Sequence, residues 1–347
     1  MNNPLVIFLS LFVTLAIFQL LLLLYLANKK IKTNKKLAHE QAIYAEAMPA
    51  YIQYLNSDPN ESIPLPPDEY HVAEQLFSDC MAIIKDEKLQ NNVRESASSY
   101  LSSHYAKVMK TGDWSSRVNA LYYMEDFRMT SLQPLLSNRL KEVHTNDEET
   151  QQLIRTLAAM GDLSVLTYLE NEPESTESMY LSVFSRLPED VVPKAIDYVN
   201  KDGSLKAKTS LLMYFGLAKN LAYLPFVEEK LHDENSSLQI QALKAIFRMN
   251  YISDANLLTP FFKSDNWIER MFAVKIAGVL SLSQFEHILV ELLGDPIWWV
   301  RYYTADALLL TFGENKLKEI SKSHPDHFAR DMASQWLTLG RQVTQNE

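Results

Sequence analysis

The sequence predicts an all-α protein: one transmembrane helix at the amino terminus, followed by an α-solenoid of stacked antiparallel helix pairs. Three observations predict it. Pro4 to Ala27 is a long apolar run without a charge. Lys208, Gln239, Arg270 and Arg301 stand at equal intervals along the chain, a 31-residue period. Only 8 of the 347 residues are glycine, about 2% against a usual ~7%, which leaves little material for the tight turns of a many-stranded sheet.

Composition narrows the functional classes. The chain holds 33 Lys and Arg against 43 Asp and Glu, a net charge of −10. Residues 1–36 contain five lysines and no acid, so the rest carries 28 basic and 43 acidic side chains, a net −15. Surfaces that wrap a duplex are basic, so no nucleic-acid partner is expected. The single cysteine, Cys80, excludes an internal disulfide framework and a multi-thiolate metal cage.

Residues 1–28 are predicted to form the membrane anchor. Within Pro4–Ala27 only Ser10, Thr14, Gln19 and Tyr25 carry polar side-chain atoms. At about 1.5 Å per residue a helix of that length spans ~36 Å, enough for a tilted crossing. A cleaved signal peptide has a basic start and a shorter apolar run, whereas this chain opens Met1-Asn2-Asn3. The cations follow the span: Lys29, Lys30, Lys32, Lys35 and Lys36. Retained lysines mark the cytoplasmic side, so the short amino end is expected outside and the body in the cytoplasm. The same lysines are also placed to meet anionic headgroups.

Residues 29–68 are predicted as a basic juxtamembrane helix and a linker. Leu37, Ile43, Tyr44, Ala47, Met48, Tyr51 and Leu55 give residues 37–56 one apolar face. Ser57 to Asp68, with Pro59, Pro64, Pro66 and Pro67, is expected to be a semi-stiff spacer.

Residues 69–347 are predicted to form the repeat array. Leu211, Ala242, Ala273 and Thr304 each stand three positions after the recurring basic or polar residue, and Asp202, Asp233, Asp265 and Asp295 precede it. Asp326, Arg330 and Ala333 add a unit, as do Asp113, Arg117 and Ala120, then Asn146, Arg155 and Ala158, and more loosely Val93, Arg94 and Ala97. An eroded unit occupies Ser175 to Leu187, giving seven or eight in all. Each Asp or Asn is expected to cap a helix, and each small residue to let a neighbouring helix approach. Each basic side chain should pair with its own or the previous unit's Asp, making a ladder.

Asp295-Pro296-Ile297-Trp298-Trp299-Val300-Arg301-Tyr302-Tyr303-Thr304-Ala305-Asp306-Ala307-Leu308 resembles a HEAT repeat of the short, phycobilisome-lyase-like kind. Asp265 to Ala277, Asp233 to Ile246 and Asp113 to Leu121 resemble it more weakly. The resemblance covers residues 86–340 and implies a right-handed superhelix with a long concave face. It departs from the pattern at Gln239 and Thr304.

No His-Glu-x-x-His, Gly-x-Ser-x-Gly, Walker A or Gly-x-Gly-x-x-Gly motif occurs, so no catalytic residue is nominated and no cofactor, metal or small-molecule substrate is expected. His324 and His327 lie three apart, but Asp326 between them keeps the repeat register and is expected to be a turn and cap. Cys80, among apolar neighbours, is expected to be a buried small hydrophobe. The acidic clusters Asn146 to Glu149 and Glu172 to Glu177 are expected to be solvated loop ends, with a basic protein partner as the alternative.

The candidate partner-binding residues are Trp267, Arg270, Trp298, Trp299, Arg301, Tyr302 and Asp306. Trp, Tyr and Arg dominate binding hot spots; the alternative is that the rings fill gaps between units. The chain is therefore expected to be a cytosol-facing scaffold or adaptor, holding a protein partner against the membrane through its solenoid. That partner would be a membrane enzyme, or an envelope-assembly or signalling component. The resemblance also implies an alternative, a lyase-like enzyme acting on a bilin-type chromophore. A nucleic-acid-binding solenoid is a further alternative, using Lys206, Lys208, Lys244, Arg270 and Lys275.

Overall fold

In a computed structural model, residues 4–56, 62–142 and 147–343 are described. Among them every regular element is helical. The chain divides into two compact units at Met160/Gly161.

The first unit begins with α1 (Pro4–Tyr54), a single unbroken helix of 51 residues. Its amino-terminal part is long and apolar enough to cross a membrane; the best 18-residue window has a mean hydropathy of 2.2 and none of it is buried against the chain. The anchor and the amphipathic helix expected as separate segments are thus one rod. The reason is local: no glycine or proline stands between Leu5 and Met48, and Pro49 comes only in the last two turns.

Five further helices complete this unit: α2 (Tyr70–Ile83), α3 (Glu87–Thr111), α4 (Trp114–Asp126), α5 (Gln133–Glu142) and α6 (Glu148–Ala159). The carboxyl end of α1 belongs to their core. Ala47, Tyr51 and Leu55 are buried, the Tyr51 ring meets Phe77 edge-on at 5.3 Å, and the Tyr44 hydroxyl donates to Asp79 Oδ2 at 2.7 Å. Cys80 is buried beside Met48 (Sγ to Sδ 3.8 Å), and burial pushes its thiol up to about 11, which keeps it protonated at neutral pH.

Residues 57–61 of the expected spacer lie outside the described residues. Ser62 onward is not free chain: Ile63, Pro64, Leu65 and Pro66 turn back over Ile43, Glu46, Ala47 and Ala50 of α1, and the Tyr100 hydroxyl donates to the Pro66 carbonyl. Asp86, Asp113 and Asp147 cap α3, α4 and α6. Asn146, expected in the last of these roles, lies outside the described residues.

The second unit holds α7 (Ser164–Asn171), α8 (Glu177–Phe184), α9 (Val192–Asp202), α10 (Leu205–Ala218), α11 (Leu224–Glu229), α12 (Ser236–Met249), α13 (Trp267–Val279), α14 (Glu286–Leu292), α15 (Trp298–Phe312), α16 (Glu314–Ser323) and α17 (His327–Val343). Helices α8, α10, α12, α13, α15 and α17 pack each on the next. The small-residue positions sit in these contacts: Leu211, Ala242, Ala273, Thr304 and Ala333 are all buried. Thr304 satisfies its buried hydroxyl by donating to the Val300 carbonyl at 2.7 Å.

Some members between these helices are shorter than a paired-helix reading expects: α11 and α14 have only six and seven residues, while α9 and α16 have eleven and ten. Between α12 and α13 there are only the 3-10 turns Ala255–Leu258 and Phe261–Lys263, because Pro260 removes an amide and obstructs a continuous helix. The caps are also displaced from the aspartates expected. Ser204, Asn235 and Asn266 cap α10, α12 and α13. Asp202 instead ends α9, and Asp233 accepts from the Asn235 amide at 2.9 Å.

The repeat period is also present in the backbone. Lys219, Asn250 and Ser281, evenly spaced, have φ of 51°, 54° and 50°, the left-handed conformation that ends helices. None is a glycine.

Candidate partner-binding face

The arginines of the repeat position hold the turns together. Arg270 donates from Nη1 to the Ser264 and Asp265 carbonyls, Arg301 to those of Asp295 and Pro296, and Arg330 to those of His324 and Pro325. Two of the repeat arginines reach a carboxylate of the following unit, whereas Arg155 lies 4.0 Å from Glu125 of the preceding one. Arg270 forks onto Asp295 at 2.6 and 2.9 Å. Arg117 forks onto Glu149 at 2.8 and 2.7 Å, with Arg139 on the same carboxylate.

Glu149, expected in a solvated loop, is buried instead. Burial favours its neutral form, but the two guanidiniums outweigh that and hold its carboxyl below the ordinary range. Asp326 accepts from the Phe328 and Ala329 amides at 2.7 and 3.2 Å, in the turn-and-cap role expected for it. The Glu172–Glu177 loop borders a surface hollow lined also by Tyr180, Ser204 and Lys206.

The seven nominated residues divide. Arg270 and Arg301 are occupied as described, with the Arg301 guanidinium 5.3 Å from the Phe328 ring centre. Trp267 makes no ring contact with the others among the described residues. Trp298, Trp299 and Tyr302 do come together, because Val300, Thr304, Ala307 and Leu308 turn the opposite side of α15 inward. Trp298 stacks on Tyr302 at 4.9 Å and meets Trp299 edge-on at 4.7 Å. Yet Trp298 is 41% exposed and Trp299 48%, so these rings are not simply interior filling.

The cluster extends past the nominated set. Tyr302 meets Trp336 of α17 at 4.9 Å, and Trp299 stacks with Tyr303 at 6.3 Å. The Lys275 ammonium lies 4.3 Å from the Tyr303 ring centre, 4.6 Å from Phe247 and 5.2 Å from Phe272. Lys244 sits 5.8 Å over Phe272. A connected strip of rings and ammonium groups therefore crosses α12, α13, α15 and α17.

Burial lowers the Lys275 pKa, and the field of Asp306 partly restores it. Burial likewise raises that of Asp306, with Lys275 opposing. Lys244, Lys275 and Asp306 follow one another at one repeat period each, and Phe272 and Tyr303 are separated by the same step. That spacing was a usable signal in the sequence for Phe272 and Tyr303 as neighbours. The five juxtamembrane lysines are exposed along α1, with Lys36 3.5 Å from Glu40.

No protein-family model matches the chain, and no curated protein does. A crystal structure described as that of an engineered protein aligns over 84% of this chain and 98% of its own length, at 11% identity and a TM-score of 0.37.

Proposed function

We propose that this chain is a single-pass membrane scaffold whose cytosolic body, a HEAT-like α-solenoid, holds a protein partner close to the bilayer. One observation carries the reading. The apolar helix finds no burial against the chain, yet continues without a break into the core of the first unit. A bilayer supplies the burial that the protein does not, and every backbone group of a helix is satisfied within it. The repeat period and the packing of successive helices favour the solenoid.

Continuity of α1 also sets how far the core of the first unit stands from the apolar run. Sixteen helical steps from Ala27 to Ile43 make a post of ~24 Å. A tethered partner site works at raised effective concentration, so modest affinity is enough.

The exposed Trp298 and Trp299, with half-buried Tyr302 beneath them, are the binding face in this reading. The test is copurification from membranes of full-length protein and of the Trp298→Ala plus Trp299→Ala variant. A specific partner should be recovered with the first and lost with the second; equal recovery from both removes the aromatic face from the function.

A further inference from the structure

Within that reading, and resting on it, we propose that the strip formed by Trp298, Trp299, Tyr303, Lys275, Phe272 and Lys244 receives an acidic amphipathic segment of the partner protein. Its rings bury the apolar side chains, and its ammonium groups meet the carboxylates.

Charge complementarity points to this occupant. Lys275 is half-buried among three rings, and neither it nor Lys244 has a carboxylate within 4 Å among the described residues. A cation held over aromatic faces keeps part of its field unneutralised, and partial burial strengthens what it offers an incoming anion. The exposed indoles supply apolar area with few rotatable bonds, which keeps the ordering cost of docking low.

The same features disfavour a polyanion. Single-strand binders pair stacking rings with a basic groove, but this strip offers two free ammonium groups and carries Asp306 beside one of them. The chain beyond residue 36 has a net charge of −15, so a phosphate-rich strand or an anionic bilayer meets general repulsion. A segment with only a few carboxylates carries far less charge and meets correspondingly less of that repulsion.

The experiment uses full-length protein in neutral phosphatidylcholine nanodiscs. The probe is a short synthetic helix with Leu and Phe on one face and Glu along its flanks, compared with the same peptide bearing Gln for every Glu. The acidic peptide should bind saturably, and the Gln version about tenfold more weakly. Lys244→Met plus Lys275→Met, which retains apolar bulk, should bring the acidic peptide down to the Gln level. Trp298→Ala plus Trp299→Ala should weaken both peptides, with circular dichroism checking that each variant is folded.

No binding of the acidic peptide, equal binding of the two peptides, or displacement of the bound peptide by oligothymidylate or phosphatidylserine vesicles would overturn the assignment. The membrane copurification separates this from the broader reading. Loss of the partner in the tryptophan variant with full retention in the double-Met variant keeps the scaffold and rejects the acidic segment. Retention in both rejects the aromatic face itself.

Discussion

Gly278 shows how closely the second unit is packed. A Cβ built there would lie 2.6 Å from both Cα and Cβ of Ala307, so α13 and α15 meet backbone to backbone. Gly216, two repeat periods earlier, stands in the same relation to Ala245, at 2.8 Å from its Cα. On an open helix face Gly→Ala gains about 1 kcal/mol from propensity. Here overpacking reverses the sign, and Gly278→Ala should lose about 1–3 kcal/mol, read as a lower midpoint in thermal denaturation.

Asp306 gives a pH-dependent counterpart. Burial raises its folded pKa above the ordinary 3.8, so the folded state holds the proton more tightly than the unfolded one. The stability it contributes is present below 3.8 and is lost as pH rises through the folded value. Asp306→Asn should therefore gain on the native protein as pH climbs from below 3.8 towards neutrality. A stability difference that stays flat across that range contradicts the burial argument.

Among the elements, α1 carries the most consequence. Its role in the core was half legible: Ala47, Tyr51 and Leu55 were picked out by apolar spacing, and they are the residues that bury. Its continuity was also readable, since a chain without Gly or Pro from Leu5 to Met48 has nothing to end a helix. The change from apolar to lysine-rich composition at residue 28 leaves the backbone helical on both sides.

The shortened intervening members were harder to foresee, because an apolar run such as Phe261-Phe262 packs equally well from a 3-10 turn. Cap positions erred by one or two residues for a related reason. Asn235 and Asn266 follow the periodic aspartates closely, and amide and carboxylate oxygens cap a helix about equally well. A body beginning at residue 29 should fold with the stability of the whole. One beginning at residue 57 should melt markedly lower, since loss of fully buried Tyr51 alone costs about 3–5 kcal/mol. Identical melting of the two by circular dichroism would mean that the end of α1 is not part of the fold.

At the scale of the molecule, charge and greasiness are segregated along the chain: an uncharged run, then five lysines, then a body of net −15. That segregation was fully visible in the sequence, and so was the repeat period. The aromatic strip was visible only in part. Trp298, Trp299 and Tyr302 lie on one helix and follow from its periodicity, whereas Lys275, Phe247 and Trp336 join them only through packing between helices. Arg270 and Arg301, chosen for their residue type, proved to be bonded within their own turns, and residue type alone cannot separate a free guanidinium from one already engaged.

The central claim is that α1 crosses a membrane with its lysines and the whole body on the cytosolic side. Protease digestion of intact cells, set beside digestion of inverted membrane vesicles from the same cells, tests it most directly. A full-length band should survive in the cells, and everything beyond the span should be lost in the vesicles. Digestion of the body from outside intact cells, or its recovery in the soluble fraction, would contradict it.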